Sequence, residues 1–359
     1  MQVTQTIVKD THVDICPQDE HETMPTITFF PSTSDCSGKI NRFAEIVEIV
    51  TIVIVWYICS VFSSNLSKTI LEEQIFPLPL SLTLFQFLFV SVFCFIVFQL
   101  KGTCSMKKLD SQAFTQILIP LCISQVLAHL LSLISIQQVP VSFTHTVKAT
   151  SPIFAIMLSK YYCLNEKYSL PLLLSIIPII CGVILSSFTE TNFRLVGFVT
   201  ALTSTVVFSW QNTFSKKVFK ENRMDDINLL FYTSLSAFIV LLPIWFALDW
   251  NNVMEFLRAN MHHDSMKPNI FGLLTLNGIC HFGQNIAAIT FMTRVSPLTY
   301  TIFNTTKRLF VIILSILYFG NPIPFFNAVG IALALGGVVM YNKAKLDIMF
   351  SERKLRSQH

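Results

Sequence analysis

SPLTYTIFNTTKRLFVIILSILYF, residues 296–319, holds Lys307 and Arg308 side by side in the middle of an otherwise apolar segment. The segment is long enough to cross a bilayer, whose hydrocarbon core of about 30 Å takes about 20 helical residues. A central Lys or Arg there carries a penalty of roughly 2.5 to 3.5 kcal/mol even on lenient insertion scales. Two adjacent cations therefore mark either an internal anion site or a structural ion-pair site. The rest of the chain decides between the two.

The chain has 359 residues, of which 52% are hydrophobic and only 13% charged, and 33 are Phe. Such a composition belongs to an all-α, polytopic integral membrane protein. Residues 1–43 break the pattern. They are polar and mixed in charge (Asp10, Asp14, Asp19, Glu20 and Glu22 against Lys9 and Lys39), which predicts a disordered N-terminal tail. An organelle transit peptide is Arg-rich and poor in acids, and this tail is the opposite. No cleavable signal peptide is recognised, so the first helix is expected to serve as an uncleaved signal anchor. Residues 342–359 form a basic C-terminal tail. The nine Cys show no CxxC or other ligand spacing and read as small core hydrophobes, with no metal and no cofactor implied. The sequons at Asn65 and Asn304 fall at or inside helices, where glycosylation is not expected.

Hydropathy predicts ten spans within a transporter domain of residues 44–341: 44–65, 77–99, 111–136, 140–162, 169–188, 194–215, 227–248, 269–292, 296–318 and 323–341. With the N-terminus in the cytosol, seventeen cations from Lys39 onward fall on the cytosolic side. The other side receives only Lys68, Arg194, Arg258 and Lys267. The positive-inside rule then favours an even number of spans with both termini cytosolic. Lys148, Lys307 and Arg308 belong to neither side. Lys148 lies about nine residues, or ~13 Å, into its span, and Lys307 about twelve residues, or ~18 Å, which predicts depth near the midplane for both.

The two halves, about 44–188 and 194–341, resemble each other weakly. Ser67-Lys68 returns as Ser215-Lys216. Gln125, His129 and Ser132 return as Asn277, His281 and Gln284. Pro140-Val-Ser-Phe-Thr144 returns as Pro297-Leu-Thr-Tyr-Thr301. The offsets drift in order, from 148 to 152 to 157 residues. A five-helix unit has an odd number of crossings, so its second copy is inverted in the membrane. Inverted repeats with a midplane site between them characterise secondary transporters.

At helical spacing each of these segments carries a polar stripe. The third span aligns Gln125, His129 and Ser132; the fourth, Thr144, Lys148 and Ser151; the eighth, Asn277, His281 and Gln284; the ninth, Tyr300, Asn304 and Lys307, with Arg308 ~100° further round. Four stripes from two repeat-related pairs are expected to line one aqueous cavity. Spans two to ten contain no Asp or Glu; Glu190 and Asp249 lie just past span ends. Three internal cations thus lack internal partners, and the missing anion is read as the ligand. Arg supplies a planar fork and Lys a point charge, and both suit phosphate oxygens. Pro140, Pro152 and Pro297 are expected to free backbone carbonyls near the site. Gly336-Gly337 is expected to permit close helix packing. His262-His263-Asp264 reads as a solvated loop. The Phe content reads as lipid-facing bulk, with no nucleic-acid surface. No P-loop, nucleophile elbow or HExxH motif is present, so no catalytic residues are assigned and the chain is not expected to be an enzyme.

FPLPLSLTLFQ (76–86), VPVSFTHTVKATSPIF (139–154) and SPLTYTIFNTTKR (296–308) resemble motifs of the triose-phosphate translocator family, within the drug/metabolite transporter superfamily. The similarity extends over roughly residues 46–341 and is greatest to the fungal and animal secretory-pathway branch. The resemblance implies a ten-helix fold of two inverted five-helix repeats. It also implies strict exchange of an organic phosphate for inorganic phosphate, with Lys148, Lys307 and Arg308 holding the phosphate. A family His on the third helix matches His129. A Thr one turn on is Ser132, which keeps the hydroxyl. The Tyr that plastid members use on the eighth helix falls at Gln284, so specificity beyond the phosphate does not transfer.

The sequence therefore predicts an alternating-access antiporter for a small phosphorylated metabolite, a three-carbon sugar phosphate or a phosphoglycerate-like compound. Its partners are that metabolite, inorganic phosphate and the lipid bilayer. It is expected in the endoplasmic reticulum or Golgi membrane. Besides Lys148, Lys307 and Arg308, the substrate-site candidates are His129, Ser132, Gln284, Thr144, Tyr300, Asn304, His281 and Asn277. A nucleotide-sugar or nucleoside-monophosphate antiporter is the same-class alternative. A non-transporting membrane protein of vesicle traffic is the different-class alternative.

Overall fold

The computed structural model describes residues 36–71, 75–101, 118–161, 169–222, 226–261, 270–295, 297–320 and 323–356. These residues are helical, with no strand among them. The helices are α1 (Cys36–Ile70), α2 (Pro79–Lys101), α3 (Ile119–Gln138), α4 (Val141–Lys148), α5 (Ser151–Tyr161), α6 (Leu170–Leu174) and α7 (Ile176–Thr189). They continue as α8 (Leu195–Asn222), α9 (Asp226–Leu248), α10 (Trp250–Met261), α11 (Ile270–Arg294), α12 (Pro297–Phe319) and α13 (Phe325–Arg356). Most of the predicted tail, residues 111–117 of the third expected span and His262-His263-Asp264 lie outside the described residues.

Among the described residues, seven helical stretches are long and apolar enough to cross a membrane: 45–70, 79–100, 119–138, 170–189, 230–248, 302–319 and 325–348. The other three expected spans are also helical but fall short of that criterion. Two of them, α8 and α11, are long enough but diluted by interior polar residues such as Ser204, Thr205, Asn277 and His281, all of them buried. The third is broken in two, as α4 and α5.

Proline explains the break. Pro152 has no N–H to donate to the carbonyl four residues earlier, and its ring crowds that carbonyl. The chain closes α4 with tighter turns instead, Ala149 N–H to Thr146 O (3.0 Å) and Thr150 N–H to Val147 O (3.1 Å). The Lys148 carbonyl is thereby left free for another donor. Pro178 acts alike at the α6–α7 junction, which lies at Ser175.

Small residues set the closest helix contact, between α7 and α13. A Cβ on Gly182 would lie 2.3 Å from the Ala334 nitrogen, one on Gly330 2.6 Å from the Ser186 nitrogen, and one on Gly337 2.8 Å from the Ile179 nitrogen. Of the expected Gly336-Gly337 pair, only Gly337 takes part; Gly336 faces open space.

Helix α10 lies between the expected spans 227–248 and 269–292, where the sequence reading placed no element. Its apolar residues Trp250, Val253, Met254 and Leu257 follow a helical period. Val253 and Phe256 pack on a core of Ile70, Leu71, Phe76, Leu82, Leu133 and Leu274. The buried Asp249 carboxylate just before α10 accepts from the Ser81 N–H (3.1 Å) and hydroxyl (2.7 Å) in the first turn of α2, where the helix dipole favours an anion.

Charged side chains tie α1 at two places. Some three turns into it, three residues past the start of its apolar stretch at Glu45, Glu48 pairs with Arg294 at 2.8 Å. Near its end, Lys68 Nζ donates to the carbonyls of Gln137 (3.1 Å) and Val139 (3.3 Å), and Arg194 donates to the neighbouring Gln138 side chain (2.9 Å). The twenty residues between Glu48 and Lys68 span about 30 Å, so the two clusters mark opposite ends of the bundle. Cys59, Cys94, Cys122, Cys181 and Cys280 are free thiols, with Cys94 and Cys122 buried and Cys181 exposed.

Candidate functional site

Lys148 ends α4, and its ammonium donates to Ser132 Oγ on α3. It also lies 5.7 Å from the Phe208 ring centroid on α8. Arg308 on α12 uses Nη1 to reach both the Lys148 carbonyl and Ser151 Oγ, the latter at 2.9 Å. The carbonyl it takes is the one that Pro152 sets free. Lys307 points elsewhere on α12, with its ammonium 4.9 Å over the Trp56 ring of α1. Trp56 is buried and stacks on Tyr300 at 5.4 Å and 16°, with Phe291 behind it at 5.7 Å. The ring quadrupole attracts the cation without neutralising it.

Every one of these partners is uncharged. Among the described residues no carboxylate contacts Lys148, Lys307 or Arg308. The nearby acids are used elsewhere: Asp249 by Ser81, Glu190 by Asn327 (2.8 Å) and Glu48 by Arg294. Hydroxyls, a carbonyl and aromatic faces orient the three cations but leave their charge uncompensated. Such a constellation is expensive when empty and strongly attracts a dianion.

Beside it lies a polar network from the third and eighth predicted spans. The rings of His129 and His281, repeat-mates in sequence, meet edge to face with centroids 4.6 Å apart. Gln284 Nε2 lies 2.9 Å from His281 Nδ1, and Gln86 Oε1 lies 3.1 Å from His129 Nε2. Gln86 in turn donates to Asn277 Oδ1 at 2.7 Å. The Asn277 amide donates to Ser63 O and Ser67 Oγ, both at 3.0 Å. Asn277 thus has its amide donors and its oxygen satisfied and serves as a clamp joining α1, α2 and α11. Gln125 accepts from Gln211 at 3.3 Å.

Other candidates fall differently. Thr144 is fully buried in a packing contact: its hydroxyl meets Ser135 Oγ at 3.0 Å, and Ser135 donates to Gly197 O at 2.8 Å. Ser135 has one hydroxyl proton, so Thr144 is the donor of that pair. Tyr300 serves through its ring under Trp56. Asn304 is half-buried one turn before Arg308. His145 is buried, with Nε2 3.5 Å from Ser64 Oγ and Nδ1 unpartnered.

Sequence reading missed three contributors: Trp56, Phe208 and Gln86. The aromatic pair overturns the reading of the Phe-rich surface as lipid-facing bulk throughout, since Phe208 faces an ammonium. Gln86 carried a readable signal, as a lone amide in the apolar run of α2. The aromatics carried none, because lipid-facing and site-facing rings look alike in a one-dimensional pattern.

A model of the Triose-phosphate Transporter family matches residues 47–342, which include every residue of both clusters. The chain belongs to this family. It is 32% identical over 308 residues to the chloroplastic phosphoenolpyruvate/phosphate translocator 3 of Oryza sativa, covering 85% of this chain and 76% of the relative. It is 31% identical to the chloroplastic triose phosphate/phosphate translocator of Spinacia oleracea, with 84% and 73% covered. A Schizosaccharomyces pombe protein is also 31% identical, over 88% of this chain and 70% of its own length. One crystal structure, 12% identical, superposes with a TM-score of 0.51 over 82% of this chain and 95% of its own, a likeness of fold.

Proposed function

We propose that the protein is a secondary antiporter exchanging a small organic phosphate for inorganic phosphate by alternating access. The observation that carries this reading is the convergence of Lys148, Lys307 and Arg308 from both halves of the chain onto uncharged partners. Phosphate neutralises all three, with the Arg308 fork and the two ammonium groups sharing its oxygens. The His129, His281 and Gln284 cluster reads the rest of the substrate. The rice and spinach relatives named above are a phosphoenolpyruvate/phosphate and a triose phosphate/phosphate translocator, which supports the same substrate class here.

Ten crossings built from two inverted five-helix repeats fit this mechanism, with residues 44–188 and 194–341 as the repeats and both termini cytosolic. Lys68 and Arg194 at one end of the apolar stretch 45–70 of α1, and Glu48 and Arg294 at the other, fit that topology. The resemblance of the motifs at 139–154 and 296–308 to the fungal and animal secretory-pathway branch supports a place in the endoplasmic reticulum or Golgi membrane.

Counterflow in proteoliposomes tests the reading. Vesicles loaded with inorganic phosphate should take up labelled triose phosphate or phosphoglycerate, and unloaded vesicles should not. Uptake that follows internal nucleoside monophosphate instead would favour a nucleotide-sugar antiporter. Absence of any phosphate exchange by folded protein would falsify the proposal. Glycosylation reporters placed at each terminus test the topology, and both should stay unmodified.

A further inference from the structure

Gln86 is buried in α2, and its amide lies between His129 and Asn277. The direction of each hydrogen bond through it is fixed from the α1 end of the chain of contacts. Ser63 O is a backbone carbonyl and can only accept. It accepts from the Ser67 hydroxyl at 2.7 Å and from the Asn277 amide at 3.0 Å. Ser67 has thereby given its one proton to Ser63, so its oxygen accepts from Asn277 Nδ2, also at 3.0 Å. Asn277 therefore turns Oδ1 to Gln86, which meets it with Nε2 at 2.7 Å. That leaves Gln86 Oε1 for His129 Nε2, at 3.1 Å. An amide oxygen only accepts, so the proton of the His129 ring is on Nε2. In the neutral imidazole the other nitrogen, Nδ1, then carries a lone pair.

That lone pair is open to a ligand. His129 is half-buried, and among the described residues its Nδ1 has no hydrogen-bond partner. Unlike His145 Nδ1, it is not closed off from solvent. The ring also lies beside the phosphate grip. Ser132, one helical turn further along α3, accepts from the Lys148 ammonium. Phe208 touches both groups, its ring centroid 6.3 Å from that of His129 and 5.7 Å from Lys148 Nζ. Lys148, Lys307 and Arg308 can offer a substrate only donors, whereas His129 Nδ1 offers an acceptor.

We propose that Gln86 is a positioning residue that sets substrate specificity: by holding the proton on His129 Nε2, it keeps Nδ1 as the acceptor for a hydroxyl on the organic part of the substrate. The inference rests on the antiporter reading and narrows its substrates to organic phosphates that carry a hydroxyl. Phosphoglycerate and the triose phosphates have one. Phosphoenolpyruvate has none, since its phosphate is on the enol oxygen and its carboxyl group is ionised at neutral pH. It brings no donor to Nδ1, and the acceptor goes unpaired in the loaded site. A site built to bond a substrate hydroxyl rejects the analogue lacking it far more strongly than an apolar pocket rejects a missing methylene. Without Gln86 the ring can carry its proton on either nitrogen, and the preference fades.

The test is counterflow with a matched pair: phosphoglycerate with its phosphate on the terminal carbon, and the analogue without the central hydroxyl, hydroxypropanoate phosphate. Each is offered to proteoliposomes loaded with labelled inorganic phosphate, and release of label is read. In wild type the half-saturation for phosphoglycerate should lie about tenfold or more below that of the analogue, the range for one hydrogen bond and an acceptor left unpaired. Phosphoenolpyruvate should behave like the analogue. Gln86→Met, similar in length but without an amide, should bring the pair to within about threefold. The ratio compares two substrates on the same vesicles, so a change in the amount of folded protein does not move it. Gln86 is buried, and if Gln86→Met fails to fold, the wild-type pair still decides. Equal half-saturation for the pair in wild type, or an unchanged ratio in Gln86→Met, overturns the inference. External phosphate on the same wild-type vesicles separates this inference from the reading beneath it. Phosphate exchange without a preference for the hydroxyl sinks the inference alone; no phosphate exchange sinks the antiporter reading with it.

Discussion

Lys307 is held over Trp56 by an attraction that leaves its charge intact. Substituting Lys307→Met keeps the length of the side chain and removes the charge. Two opposite effects are expected. Phosphate should bind about tenfold to a hundredfold more weakly, the range for losing one charge-assisted hydrogen bond, read as a raised half-saturation for phosphate in counterflow. The empty protein should melt at the same or a higher temperature, because an uncompensated buried cation has been replaced by an apolar isostere. A structural ion pair would behave the other way, with stability falling when one partner is lost. Arg308→Lys keeps charge but loses the planar guanidinium whose Nη1 donates to both the Lys148 carbonyl and Ser151, so exchange should fall although the charge count is unchanged. These three cations were legible in the sequence because charge stands out against an apolar background. Trp56 and Phe208 were not, since their role depends on which neighbour their face meets. Thr144 was misjudged for a related reason. Helical spacing puts it on the stripe of Lys148, but Ser135 and the Gly197 carbonyl of α8 lie closer and take its hydroxyl into packing.

At the scale of the element, the break between α4 and α5 links a proline to the site. Pro152→Ala would restore an N–H able to bond the Lys148 carbonyl, in competition with Arg308. The prediction is weaker phosphate binding at near-normal stability, since a continuous helix gains a bond while the site loses the alignment of Arg308. Counterflow and thermal melting on the same preparation check it; unchanged affinity would show that the free carbonyl does not position Arg308. Between α7 and α13, Gly182→Leu must displace backbone, as Ala334 N is 2.3 Å from the first added carbon. Overpacking of this kind destabilises by about 1–3 kcal/mol or more, visible as a lower melting temperature. The proline break could be anticipated from chemistry alone. The Gly182 and Gly330 contact could not, because a glycine shows its partner only when the second helix is in place. The opposite holds for α10, whose apolar period is present in the sequence, in a segment too short and too polar to cross a membrane. Its burial against Phe76 and Leu274 decides the matter through tertiary contact.

Across the whole molecule, the proposed function makes the charge of the site the element that couples the two substrates. An alternating-access carrier must occlude its site in passing between its two open states. The empty site would carry three cations away from water with only hydroxyls, a carbonyl and aromatic rings as partners, and an uncompensated buried charge is strongly unfavourable. The occupied site would carry a phosphate dianion that offsets most of it. Return of the empty carrier should therefore be far slower than return of the loaded one, which makes exchange obligatory. Net efflux of phosphate into substrate-free medium should accordingly be a small fraction of the exchange rate in wild-type protein. The coupling should loosen when one cation is removed while the other two still hold phosphate. Lys148→Gln retains a side-chain donor near Ser132, so it should exchange more slowly than wild type but show a larger ratio of net efflux to exchange. Both rates come from the same phosphate-loaded vesicles, diluted into medium with and without external phosphate. If the ratio stays at the wild-type value while exchange falls, site charge is not what couples the substrates, and the barrier to empty return must lie in the helix packing instead.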